Sequence, residues 1–333
     1  MHARNALYLF AALALVPTGA LHAKDRAPVK VTNAKAMSGL SRVVVSSFAI
    51  AFVTDKTDAA FAGSRRTFKA MGVIAKARLA GLTPTDFQAI TDAAYSDFAG
   101  RMRAAGYTIG DRAAMVADKQ MAKVQYVASG AEGTLVFGKD SKAKAVFYGP
   151  TEFGPTPLMQ GETGDTGVAA MGGMFAALKG FSAIGGPAYA KTMYAVQNGQ
   201  PTVSVLYVVD FAEAERYGAS YTTVATVGLT ASLAVVETLS TLGTINAKGT
   251  TGSIAIAQPV AIPGNFGNMQ DTTTRGQKLD NVAGAVIGGL FGSGSNTYKH
   301  ITFAADPSSY RTGAIAATTA TNGLVVAELV ARR

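Results

Sequence analysis

The sequence predicts an α/β chain with an α+β tendency. It reads as a mixed sheet with flanking helices and a β-rich second half interrupted by Gly-rich insertions. Three observations carry that prediction. Residues 42–53 are apolar on both alternate faces, as a central strand covered on both sides must be. Residues 83–105 keep helical spacing behind a clear N-terminal signal. From Thr202 onward, period-two alternation recurs between turn signals.

Taken in order, Met1 to Ala23 reads as a secretory signal peptide: Arg4, an apolar stretch from Ala6 to Val16, then Pro17 and a small-residue end at Ala23. The apolar stretch falls well short of the roughly 20 residues that span a bilayer. Residues 24–40 are polar, a flexible start. An α/β domain is expected over 41–148. Its first strand, from Arg42 to Val53, leads into a basic, Ala-rich and partly helical connection from Asp55 to Leu82. Thr83, Pro84 and Asp86 supply an N-cap, a first-turn proline and an acid three residues after the cap. Phe87, Ile90, Ala94, Phe98 and Met102 follow on one face, and Gly106 stops the helix. A short strand at 107–109 and a second helix over 111–124 come next. Strands at 133–138 and 143–148 then flank a polar turn.

Residues 149–186 form a long Gly/Pro-rich insertion, and 187–262 a β-rich continuation of the same domain. Within it, 188–197 and 202–211 are expected to pair as a hairpin around Asn198-Gly199. Residues 222–240 read as one long strand, and 254–262 as a weaker one whose Pro259 argues for an edge. A polar loop over 263–280 leads into a glycine-zipper segment, the two together spanning 263–297. The last unit, 298–333, is a strand followed by a helix capped by Asp306-Pro307.

Composition narrows the chemistry. The chain has 333 residues, 48% of them hydrophobic and 15% charged, so a large core can form without covalent staples. There is no cysteine, hence no disulfide and no thiol chemistry. Removing Arg4 with the leader takes the 30 basic residues to 29 against 21 acidic, a net charge of +8. In an exported chain that charge suits anionic envelope polymers or lipid head groups. No ribbon of interleaved basic and aromatic residues points to nucleic acid. One loose basic cluster, Arg65, Arg66, Lys69, Lys76 and Arg78, reads as a solvated face.

Nucleophilic catalysis needs a base beside the nucleophile. Beyond the leader only His300 is present, and it sits inside an apparent strand. Asp210, Glu213 and Glu215, like Glu162 and Asp165, lack the carboxylate density that calcium requires. No catalytic, metal or cofactor-binding residue is assigned, and no cofactor is expected. The glycines are more informative. Gly284, Gly288 and Gly292 fall at four-residue spacing, a zipper that lets backbones approach closely if helical. Gly172 and Gly180, with Ala176 between them, repeat it mildly. These five glycines are the expected points of assembly or membrane contact.

The order of a buried strand, a helix, a short strand with an Arg-containing turn and a following helix is carried best by the stretch from Ile90 to Arg112. It resembles the periplasmic domain of the curli secretion channel CsgG family, over roughly residues 40–240. The resemblance implies an α/β domain that assembles in the envelope, with 149–186 and 222–240 in the place of barrel-forming segments. The acylated cysteine of that family is absent, so no lipid anchor is expected, and no pore residues carry over.

The expected function is therefore that of an exported, non-enzymatic envelope protein acting by assembly or binding in the periplasm or at the outer membrane. Its partners would be further copies of the chain, an envelope lipid or a secreted protein. A periplasmic binding module for an apolar small molecule or lipid is the alternative. A carboxylate-based hydrolase comes third.

Overall fold

One strand organises the molecule. The structure is a computed structural model that describes residues 27–62, 71–162, 186–217, 225–237, 239–282 and 296–333. In it β2, Arg42–Ala62, runs for 21 residues through the middle of a 13-stranded mixed sheet. The fold is α+β, with helices flanking that sheet. The run of Val, Phe and Ile from Val43 to Val53 is buried throughout, as the two-sided apolar pattern requires. Beyond Thr54 the burial alternates, and one face of β2 is left open.

The first half of β2 pairs in parallel with β9, Thr202–Tyr217. Its second half pairs on the same edge with β3, Met71–Ala80, in antiparallel register. The opposite edge takes β4, Thr108–Ile109, and then β7, Ser141–Tyr148, which continues to β6, Ala131–Gly138. Past the pair of Phe52 with Val209, β9 and β2 therefore part company.

On its other edge β9 carries β10, Thr226–Val235, and then β11, Thr241–Ile245. The sheet continues from β11 to β12, Thr251–Ile256, and β1, Val29–Thr32. Beside β10 lies β13, Val260–Ile262. At the far side β3 pairs in parallel with β15, Asn296–Ala305, which is edged by β14, Gly267–Asp271. A separate two-stranded pair joins β5, Tyr126–Val127, to β8, Leu158–Met159.

Two long helices cover one face of the inner sheet. In α1, Pro84–Ala104, Phe87 packs on Phe52 and Phe98 on Phe48, with ring centroids 4.7 and 5.6 Å apart. Two shorter helices follow in the chain: α2, Arg112–Val116, and α3, Pro187–Asn198. A further long helix, α4, Pro307–Ala331, is long and apolar enough to cross a membrane by length and composition. Tyr310, Ala314, Ala317, Val325 and Leu329 nevertheless bury its apolar stripe in the core. Asn322, at its middle, is fully buried. Its amide donates to the Ala94 carbonyl and to Asp97, and its oxygen accepts from the Tyr207 hydroxyl, each at 2.9 Å. One side chain thus ties α4, α1 and β9.

Several expectations need correction. The connection from 55 to 82 is the end of β2 and all of β3, because Asp55 to Ala62 continues the alternation with Lys56 and Asp58 inward. The hairpin expected at 188–211 is absent: Pro187 opens a helix that buries Ala190, Lys191, Tyr194 and Ala195. Gly199, at φ 61°, is the left-handed residue closing that helix, not a hairpin corner. The helix expected over 111–124 stops at Val116 and gives way to turns. The long strand at 222–240 is β10, and the chain leaves strand geometry before β11. Pro259 separates β12 from β13. Val29–Thr32 and Gly267–Asp271, expected as flexible start and polar loop, are edge strands.

Candidate functional site

A cleft of about 510 Å³ opens where the start of β2, α1 and the turn into α2 meet. The turn is fixed by the backbone. Thr108 and Gly110 donate to the carbonyls of Ser41 and Val43, both at 2.8 Å. The Asp111 carboxylate then caps α2 by accepting from the Ala113 amide at 2.8 Å. This arrangement turns Arg112 inward. Its Nε donates to the Ser46 carbonyl and its Nη2 to that of Pro157, both at 3.0 Å. The guanidinium lies 4.3 Å from the Phe153 ring centroid. Burial pushes its pKa down, opposed by nearby Tyr126 and Glu162. With three carbonyls and a ring face around it, Arg112 is the structural floor of the cleft.

The walls are Tyr95, Arg103, Ile109 and Phe153, with Glu152 at the mouth. Tyr95 is 4% exposed and meets Phe153 and Phe48 edge-on. Burial first, and the Glu152 carboxylate next, push its hydroxyl up to about 12. It is therefore a neutral hydrogen-bond donor and acceptor, displaced in the wrong direction to act as a nucleophile. Arg103 is exposed and forms no ion pair among the described residues. The cleft can hold a small polar group between Arg103, Glu152 and the Tyr95 hydroxyl. Among the described residues it brings together no nucleophile and base.

Two other polar groupings are built into the sheet. Where β2 and β9 part, the Lys56 ammonium lies 2.6 Å from Asp210 Oδ2, 2.7 Å from the Ala212 carbonyl and 3.9 Å from Asp58. Arg216 approaches Asp58 at 3.4 Å from the exposed side. Asp58 is fully buried and accepts no hydrogen bond. Burial raises the Asp210 pKa, with Lys56 acting against it. On the α3 side, the buried Lys191 donates to Glu162 and, at 2.8 Å, to Ser204, whose hydroxyl also meets that of Ser46 at 2.8 Å. A lysine that donates to both a carboxylate and a serine oxygen is not placed to take the serine's proton.

The carboxylates singled out in the sequence fall apart on this view. Asp210 faces Lys56 inside, whereas Glu213 and Glu215 are exposed. Glu162 holds Lys191. His300 lies in β15, its Nε2 3.3 Å from the Gln277 amide nitrogen. No group of three or more His, Cys, Asp or Glu able to hold a metal occurs among the described residues. The five glycines Gly172, Gly180, Gly284, Gly288 and Gly292 lie outside the described residues, as do the leader and Asp165.

Tyr95, Arg103 and Glu152 were not singled out by sequence. The Arg-containing turn at Arg112 was the signal available, and only the fold brings the other three to it. The chain matches no protein-family model, no characterised protein sequence and no solved structure.

Proposed function

We propose that this is an exported, non-enzymatic envelope protein that acts by assembly, in the manner of the curli-type secretion proteins whose periplasmic domain its sequence resembles. One observation carries the reading. Two long hairpins, β2–β3 and β9–β10, grow out of the same helix-covered sheet and extend past its cover. They end on the side where Tyr217 is 60% and Tyr298 38% exposed, large apolar side chains set free of the core. The leader supports export. Fractionation of washed membranes, with light scattering on the purified chain, tests it: membrane-associated or oligomeric protein is expected. A protein recovered wholly as a soluble monomer overturns it.

The cleft favours a second reading, a periplasmic binding module. Its polar rim at Arg103 and Glu152 suits a small ligand with charged or hydrogen-bonding groups better than a purely apolar one. Native mass spectrometry showing a bound small molecule, lost on Arg103→Ala, would support it. An empty chain with unaltered folding would sink it.

A further inference from the structure

We propose that the uncovered half of the sheet is a docking face for an anionic lipid bilayer. The inference deepens the envelope reading and rests on it for the location of that bilayer.

Cover by α1 ends at Phe52 and Tyr148, which pack on Phe87. Farther out, pairing registers set two rows of side chains on the same open face. One row is Lys142, Thr57, Lys76 and His300, and the next is Lys144, Asp55, Arg78 and Thr302. The alternation sets the direction of each side chain. Lys56, Ala75, Ala77, Ala143 and Ala145 are buried behind the sheet, while Lys76, Arg78, Lys142 and Lys144 are exposed in front. None of these four cations forms an ion pair among the described residues. On β2, β3, β6 and β7 the same face carries two acids among the described residues, Asp55 and Glu132. Asp55 sits across from both Lys144 and Arg78, which leaves that row at +1 and the row of Lys142 and Lys76 at +2.

The spacing selects the partner. Strands lie about 4.8 Å apart, so Lys142 and Lys76, two strands apart, are separated by roughly 10 Å. That is too wide to clasp one phosphate and suits a field of separate anionic groups. The border of the patch is apolar, with Val136 42% exposed beside Lys142 and Tyr298 38% exposed on the row next to His300. An aromatic and an aliphatic side chain flanking cations on a broad sheet face fit the head-group zone of a bilayer. A soluble polyanion would leave both in water.

The test is co-sedimentation of the purified full chain with vesicles of phosphatidylcholine, alone or mixed with phosphatidylglycerol. Binding is expected only with the anionic lipid, weakening as salt rises. Each cation at such a surface contributes about fivefold in affinity, so Lys76→Gln with Arg78→Gln should lose about 25-fold. Lys142→Gln with Lys144→Gln should do the same. Lys30→Gln with Lys248→Gln, exposed charges on other elements, should bind as the parent does. The chain has no Trp, so Tyr298→Trp gives a single reporter whose emission should shift to the blue on anionic vesicles.

Equal binding to neutral vesicles overturns the proposal. So does parental binding by both Gln pairs with unchanged circular dichroism, or tight binding of a soluble polyanion with none to vesicles. Vesicle binding by a chain that fractionates away from the envelope would instead overturn the location while leaving the surface chemistry intact.

Discussion

Lys56 neutralises Asp210 and faces Asp58 in a space closed to water, and Arg216 of β9 approaches Asp58 from the exposed side. Removing one partner of a buried pair leaves the other uncompensated, so Lys56→Ala should destabilise the fold by about 3–5 kcal/mol in chemical denaturation. The pH dependence has a definite sign. Asp210 has a folded pKa raised by burial, so the native state keeps its proton longer than the unfolded chain does. Its contribution is favourable below the ordinary carboxylate value and is lost as pH rises through the raised one. The Lys56→Ala deficit should therefore shrink in acid, where a neutral Asp210 no longer needs a cation. Asp86 behaves in the opposite way. Hydrogen bonds from the Thr83 hydroxyl and amide, at 2.7 and 2.9 Å, hold its carboxyl below the usual range. That stabilisation is present above the ordinary value and disappears as pH falls through the lowered one. Asp86→Asn should cost about 1 kcal/mol at neutral pH, and the cost should vanish in acid when melting curves of the two proteins are compared.

Helices α1 and α4 meet each other and the sheet at Asn322, which makes that residue a joint between three elements. Asn322→Ala strands the Tyr207 hydroxyl in a dry interior and takes one donor from Asp97, and a loss of about 3 kcal/mol is expected in denaturant titration. Nothing in the sequence marks Asn322 out, since its partners lie 115 and 225 residues away. The two helix starts were legible for the reverse reason. Thr83-Pro84 and Asp306-Pro307 are local signals, and both open helices where they stand. Local chemistry also misled. Asn198-Gly199 suits a hairpin corner and a helix end equally, and the burial of Tyr194 against Val44 and Met115 decided for the helix. In β2 the charges of Lys56 and Asp58 hid a strand. A buried pair looks like a polar loop until the partner on β9 is known. The cleft was legible only at its floor, through the Arg112 turn. Its walls come from α1 and from the 3-10 turn Thr151–Phe153, brought together by packing.

At the scale of the whole molecule, the sheet is a single connected surface from β1 to β14, and its connection runs through strands far apart in the chain. β3 takes nine residues of β15 as its parallel partner, Gly72 with Asn296 through Ala80 with Ala304. A chain ending before Asn296 should therefore leave β3 with an open edge and the inner sheet without α4. It should aggregate instead of giving a soluble, cooperatively melting product, as gel filtration would report. The fold class was legible from sequence because alternation and helical period are local. The strand order was not, because pairing partners hundreds of residues apart leave no local trace. The length of β2 has a consequence in time as well as in space. Its residues lie near the start of the chain and wait for β9, about 160 residues later, while its neighbour β3 waits for β15 near the end. Such a chain cannot complete its sheet until almost all of it has been made. Pairing between strands so far apart in sequence slows folding, so recovery of the native signal after dilution from denaturant is expected to be slow.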